Sequence, residues 1–128
     1  MTEQPQGSAQ IHSRREAGCL VVEVLTARVT EGPVIDSIQQ QLSNLLGEDA
    51  GQRVVLDLSR VEIMSSAMLS VLVQAYRQLA ESSGRLVLSG LKPPVLKVFE
   101  ITRLNQLFRL EVDVPAALAR LASSSAGN

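Results

Sequence analysis

The 128 residues carry a formal net charge of −1, two Phe, one Tyr and no Trp. A nearly neutral chain has no long-range field to gather nucleic acid or an anionic membrane, and so few rings leave little for bases to stack on. One histidine and one cysteine exclude an internal disulfide and make a zinc site or a Ser-His catalytic pair unsupported.

The chain length fits one domain able to bury a sizeable core. Residues 1–8, "MTEQPQGS", are polar with Pro and Gly and read as a disordered tail, as do residues 123–128, "SSSAGN". The domain is expected over 9–122. "AQIHSRRE" (Ala9 to Glu16) and "CLVVEVL" (Cys19 to Leu25) are predicted strands. The short Ala17-Gly18 turn between them predicts an antiparallel hairpin. Cys19 lies in the apolar run and is expected to be a buried, inert thiol.

"EGPVIDSIQQQLSNLLGED" is the first predicted helix. Ile35, Ile38, Leu42, Leu45 and Leu46 recur at three- and four-residue spacing, which gathers them on one face. Pro33 suits the first turn, and Gly47 ends the helix. "RVVLDLS" (Arg53 to Ser59) is a dense apolar run, expected to be a central strand covered on both faces.

The second helix opens in "EIMSSAML". Met68, Leu69, Leu72, Val73, Tyr76, Leu79 and Ala80 make its apolar stripe, while Ser70, Gln74, Arg77, Gln78 and Glu81 fall away from it. Gly84 stops the helix. "RLVLSGL" (Arg85 to Leu91) is the next strand. Lys92-Pro93-Pro94 is a break, followed by a short helix, "VLKVFEIT", with Val95, Leu96, Phe99 and Ile101 apolar. "LFRLEVD" (Leu107 to Asp113) is the last strand, and Pro115 opens the last helix, "PAALARLAS". The order β-β-α-β-α-β-α-β-α predicts an α/β fold: a small mixed sheet, mostly parallel after the hairpin, with about four helices.

No export signal precedes the domain and no apolar run reaches the length of a membrane span, so the expectation is a cytoplasmic protein without membrane insertion. No glycine-rich phosphate loop and no G-x-S-x-G elbow are present, so neither a nucleotide cofactor nor an enzyme is expected. Asp57 and Glu62 near the end of the central strand read as solvated strand-end carboxylates. Ser65 and Ser66 remain, between a buried strand and a helix. Such a strand end is where open α/β sheets place their ligands. A serine there caps the helix. Alternatively, a phosphate on it would meet the unpaired N–H groups of the first turn and add roughly −1.5 to −2 charges.

The stretch from "VVLDLSRVEIMSSAMLSVLVQAY" through "LKPPVLKVF" and "ITRLNQLF" resembles a STAS domain of the anti-sigma-factor antagonist (anti-anti-sigma factor) family. The resemblance runs from about Cys19 to Leu121. Asp57-Leu58-Ser59 matches the family's strand end, and Val61, Ile63 and Met64 its apolar loop positions. The family motif Asp-Ser-Ser/Thr-Gly falls on Ser65-Ser66-Ala67-Met68. Ser65 thus stands in place of the motif aspartate, and Met68, a bulky side chain where a partner approaches, in place of glycine. Glu31 stands in a degraded acidic motif before the first helix.

The resemblance implies a protein-binding switch in bacterial transcription regulation. Ser66 would be the phosphoacceptor, with Ser65 the second choice. Glu31, Ser65, Ser66, Ala67, Ser70 and Gln74 would meet the partner, an anti-sigma factor that is also a serine kinase of the histidine-kinase-like ATPase type. A PP2C-type phosphatase would reset the switch, and the unmodified protein would free the sigma factor. The alternative is a STAS scaffold or accessory module, in a signalling assembly or transport system, that is never phosphorylated. Arg77 reads as an ordinary solvated helix position.

Overall fold

The computed structural model describes residues 10–126. The N-terminal tail expected over 1–8, with Ala9 and the last two residues, lies outside the described residues. Two strands, β1 (Ile11–Glu16) and β2 (Cys19–Val24), form the expected hairpin, with Glu16 opposite Cys19. Ala17 and Gly18 both take positive φ, 54° and 77°, the backbone a two-residue loop needs to match the strand twist. A two-residue β3 (Arg28–Val29) leads into α1 (Gly32–Leu46), and β4 (Arg53–Asp57) follows. Next come β5 (Ile63–Met64), α2 (Ser66–Glu81), β6 (Arg85–Ser89) and α3 (Pro93–Ile101). A single 3-10 turn (Leu104–Gln106), β7 (Arg109–Glu111) and α4 (Val114–Ala126) complete the chain.

The main sheet has the order β1-β2-β4-β6-β7. Only β1–β2 is antiparallel; the other pairs are parallel, as the helical crossovers require. β4 lies in the middle, and its Val54, Val55 and Leu56 are buried on alternating faces. Leu20, Val22, Val54, Leu56, Leu86 and Leu88 join the core under α1, α2 and α3. Cys19, Val21, Val55 and Val87 point the other way, against Ala117 and Leu121 of α4. Burial pushes the Cys19 thiol pKa up, and the Arg53 guanidinium partly offsets this, so the thiol stays protonated at neutral pH.

Several expectations are corrected. The strands β3 and β5 pair in parallel as a separate small sheet, where a loop had been expected. Two residues are too few to show a strand period in the sequence. The last strand is shorter than Leu107 to Asp113, because Phe108 turns into the core before β7 begins. Pro93, expected in a break, opens α3, where its missing N–H has no helical partner to lose. α4 carries on over residues 123–126, where a tail had been expected. On α2 the buried face also takes in Val71 and Ala75, because α1 packs beside α2 as the sheet packs beneath it; Ala80 is exposed.

Gly84 shows how tightly α2 joins β6. Its N–H donates to the Leu79 carbonyl at 2.7 Å, closing the helix. A Cβ at this position would lie 2.6 Å from the Gln52 carbonyl oxygen and 2.9 Å from Leu79 Cδ2. The first is backbone and cannot swing away. Gly84→Ala is therefore expected to destabilise the fold by about 1–3 kcal/mol. Urea unfolding would measure it, and an unchanged midpoint would contradict this account of the turn.

Candidate functional site

The site is built by the small sheet. Ala27 accepts the Glu62 N–H at 2.7 Å, and the Val29 carbonyl accepts the Ser65 N–H at 3.0 Å. Val29 and Met64 are buried between the two short strands, which pins them to the core, while their neighbours Arg28 and Ile63 face out. This ladder sets the start of α1, led by Glu31, beside the start of α2, led by Ser65. The loop before β5 is held by Asp57, whose Oδ1 accepts the Ser59 N–H at 3.0 Å. Asp57 thus does more than meet solvent at the strand end. Glu62 lies 3.9 Å from Lys92 Nζ, a weak exposed pair.

Ser65 is the residue at the N-cap, with extended backbone (φ −87°, ψ 169°). Its carbonyl accepts the N–H groups of Met68 (3.1 Å) and Leu69 (3.3 Å). Its side chain makes no capping bond, and its Oγ is buried with no partner. The capping expectation therefore holds for the backbone of Ser65 and fails for its hydroxyl. Ser65→Ala should leave stability within about 0.5 kcal/mol of wild type or raise it, because the buried hydroxyl makes no hydrogen bond to lose and is costly to bury unpaired. An ordinary N-cap serine would lose about 1 kcal/mol on the same change. Denaturant unfolding of the variant distinguishes the two.

Ser66 is the first residue of α2 and is exposed, as is Ala67. No acidic residue lies in this first turn, so nothing on the helix itself neutralises its partial positive charge. One turn on, Ser70 Oγ donates to the Ser66 carbonyl at 3.5 Å. A further turn on, Gln74 is exposed and accepts a hydrogen bond from Gln39 Nε2 of α1. Ser66, Ser70 and Gln74 therefore share one outward stripe four residues apart. Gln74 also lines an open cleft of about 410 Å³ between α1 and α2. Glu31 is exposed and precedes α1 without capping it through its side chain. Arg77 is exposed.

Met68 is fully buried. The expectation that its side chain stands in a partner's path is corrected: it points into the core, and the outer surface of the first turn is carried by Ser66 and Ala67. Two features escaped the sequence reading. Ile63, 44 % exposed, presents an apolar side chain just ahead of the serines. Hydrogen bonds between α1 and α2, from Gln39 Nε2 to Gln74 Oε1 and from Gln78 Nε2 to the Ser43 carbonyl, bridge two helices distant in sequence. The pairing of β3 with β5 that exposes Ile63 leaves no periodic signal, and the amide contacts follow only from helix packing.

Among the described residues no group of histidine, cysteine and carboxylate side chains is placed to hold a metal ion. None of their helices is long and apolar enough to cross a membrane.

Comparison with known proteins places these features. BtrV of Bordetella bronchiseptica, a proposed anti-sigma factor antagonist, is 43 % identical over 79 residues, 61 % of this chain and 63 % of BtrV. The match thus spans less than two thirds of that relative's length. An anti-sigma-factor antagonist (STAS) domain protein from Planctomyces limnophilus superposes with a TM-score of 0.83 at 21 % identity, covering 89 % of this chain and 99 % of that one. The Bacillus cell-fate determinant SpoIIAA, in its phosphorylated form, gives a TM-score of 0.67 at 18 % identity over 87 % of this chain and 98 % of its own. At these identities the superpositions establish a shared fold. The sequence profile described as "STAS domain" matches residues 32–117, from the start of α1 into α4, and with the observed order of strands and helices it identifies the chain as a member of the STAS domain family.

Proposed function

We propose that this chain is an anti-sigma factor antagonist: it docks on an anti-sigma factor through the start of α2 and is released when Ser66 is phosphorylated. The observation that carries the reading is the contrast between the two serines. Ser66 is exposed on the first turn of α2, whereas the Ser65 hydroxyl is buried. A kinase must reach a hydroxyl, so Ser66 is the acceptor and Ser65 is not. Glu31, Ala67, Ser70 and Gln74, all exposed, complete the docking surface in this reading, with the backbone of Ser65 setting the turn. The family membership and the likeness to BtrV supply the partner class.

In this reading the partner is both anti-sigma factor and serine kinase, of the histidine-kinase-like ATPase type, and a PP2C-type phosphatase restores the unmodified state. The protein acts in the cytoplasm as a regulator of transcription, by binding and not by catalysis. Phosphorylation adds charge where the partner must sit. The free N–H groups of the first turn accommodate it within the free protein, so the fold survives while the docking surface changes sign.

The test is to isolate the partner kinase by copurification with the wild-type protein and supply it with labelled ATP. Label is expected on the wild type and on Ser65→Ala, and none on Ser66→Ala. Equal labelling of Ser66→Ala, or a partner that transfers no phosphate to the wild type, would refute the switch.

A further inference from the structure

Ile63 leaves a large apolar side chain 44 % exposed just ahead of the two serines. Its outward turn is dictated by the small sheet. Val29 and Met64 are both buried, so their neighbours on the two-residue strands, Arg28 and Ile63, both point out. The segment is held by its backbone. The Glu62 and Ile63 N–H groups donate to the Ala27 carbonyl at 2.7 and 3.2 Å, and the Ser65 N–H donates to the Val29 carbonyl at 3.0 Å. Ile63 is thus pinned from both sides, and its β-branched side chain has few rotamers to lose.

Isolated apolar side chains are ordinary on protein surfaces. Ile101 is of that kind: it is 71 % exposed, on the last residue of α3. Ile63 differs in two respects. It is fixed before any partner arrives, so docking on it costs little ordering entropy. Its neighbours are polar and exposed: Glu62 beside it in sequence, Arg28 opposite it in register, and Ser66 three residues on. Three residues of fully extended chain span at most about 11 Å, so Ile63 and Ser66 fit within one interface. An apolar centre with polar surroundings is the arrangement that carries most of the binding energy between proteins.

We infer that Ile63 is the apolar anchor of the docking surface and inserts into an apolar pocket of the anti-sigma partner. The inference rests on the docking reading proposed above and adds the chemistry of the contact. It also supplies a reason why one phosphate ends the contact. A pocket that closes over Ile63 excludes water from the surface around it, Ser66 included. A neutral hydroxyl tolerates this at small cost, whereas a phosphate of roughly −1.5 to −2 charges is costly to desolvate. Anchor and phosphoacceptor therefore act as one unit, the first supplying affinity and the second the means to remove it.

The test titrates the kinase that copurifies with the wild-type protein against immobilised wild type and variants of the full chain. Ile63→Thr keeps the β-branched shape and is expected to weaken Kd about fivefold or more, while Ile63→Val, which keeps the apolar surface, stays within about twofold. Ile63→Ala is read in the same way as Ile63→Thr and covers the case in which the threonine variant fails to fold. Ile101→Thr, which removes an exposed apolar side chain elsewhere, should bind as wild type does. Wild-type affinity in folded Ile63→Thr or Ile63→Ala, beside weak binding of Ser66→Asp, overturns the anchor and leaves the docking reading standing. An equal loss in Ile101→Thr overturns it too. If neither the Ile63 variants nor Ser66→Asp change the affinity, the docking reading falls and the anchor with it.

Discussion

Phe99→Ala is expected to lower the unfolding free energy by about 3–5 kcal/mol. Phe99 is fully buried in α3. Its ring stands 5.9 Å from Phe108 at 67°, and Phe108 in turn stands 5.7 Å from Tyr76 at 79°. Every aromatic residue of the chain thus belongs to one edge-to-face cluster, which ties α3 and the approach to β7 onto α2. Such pairs add about 0.5–1.5 kcal/mol beyond the area they bury. The space left by the ring is bounded by the sheet and two helices, which leaves little room for collapse. For a domain of this size the loss corresponds to a fall in melting midpoint of roughly 10–20 °C. Thermal unfolding followed by circular dichroism measures it; a loss under about 1 kcal/mol would mean that α3 is not anchored through this cluster.

Ser66→Asp is expected to weaken binding to the proposed anti-sigma partner by about 2–3 kcal/mol, roughly 30- to 150-fold in Kd. The carboxylate would be placed on the exposed first turn of α2. Docking over that position would strip the carboxylate of water, at a cost that the helix N-terminus offsets only in part. In the free protein the same carboxylate sits at a helix N-terminus and stabilises it by about 0.3–1 kcal/mol. That gain requires the ionised form, so it is present above the ordinary carboxylate pKa and lost as pH falls below roughly 4. A variant that melts no lower than wild type and yet binds far more weakly separates lost docking from lost folding. Equal affinity for wild type and variant would take Ser66 out of the interface.

The order of the large elements was legible because each carries a long signal. The dense apolar run from Arg53 to Ser59 reads as a covered strand, and Ile35, Ile38 and Leu42 repeat at helical spacing. The pair β3 and β5 was not legible: Val29 and Met64 are ordinary apolar residues until the chain folds them together. The depth of α2 was underestimated for a related reason. Val71 and Ala75 lie off the stripe that faces the sheet and are buried by α1 instead, a partner that periodicity within α2 does not reveal.

The candidate site divides the same way. The position of Ser66 at the head of a helix follows from the serine pair and the apolar stripe behind it. The inward turn of Met68 was contained in that stripe as well, although alignment to the motif glycine suggested an outward one. The idle hydroxyl of Ser65 was not contained in the sequence. Serine is a common N-cap, and only the rotamer and the packing around β5 decide whether the hydroxyl reaches an N–H. The two serines thus differ: the backbone of Ser65 starts the helix while its hydroxyl is buried, and Ser66 is the exposed one.

The most direct measurement is the intact mass of the protein purified from its own cells, before and after phosphatase treatment, with the modified peptide sequenced. The account predicts a fraction heavier by one phosphate group, mapped to Ser66 and removed by the phosphatase. A protein that stays unmodified in every growth and stress condition, or whose phosphate lies on another residue, would contradict it.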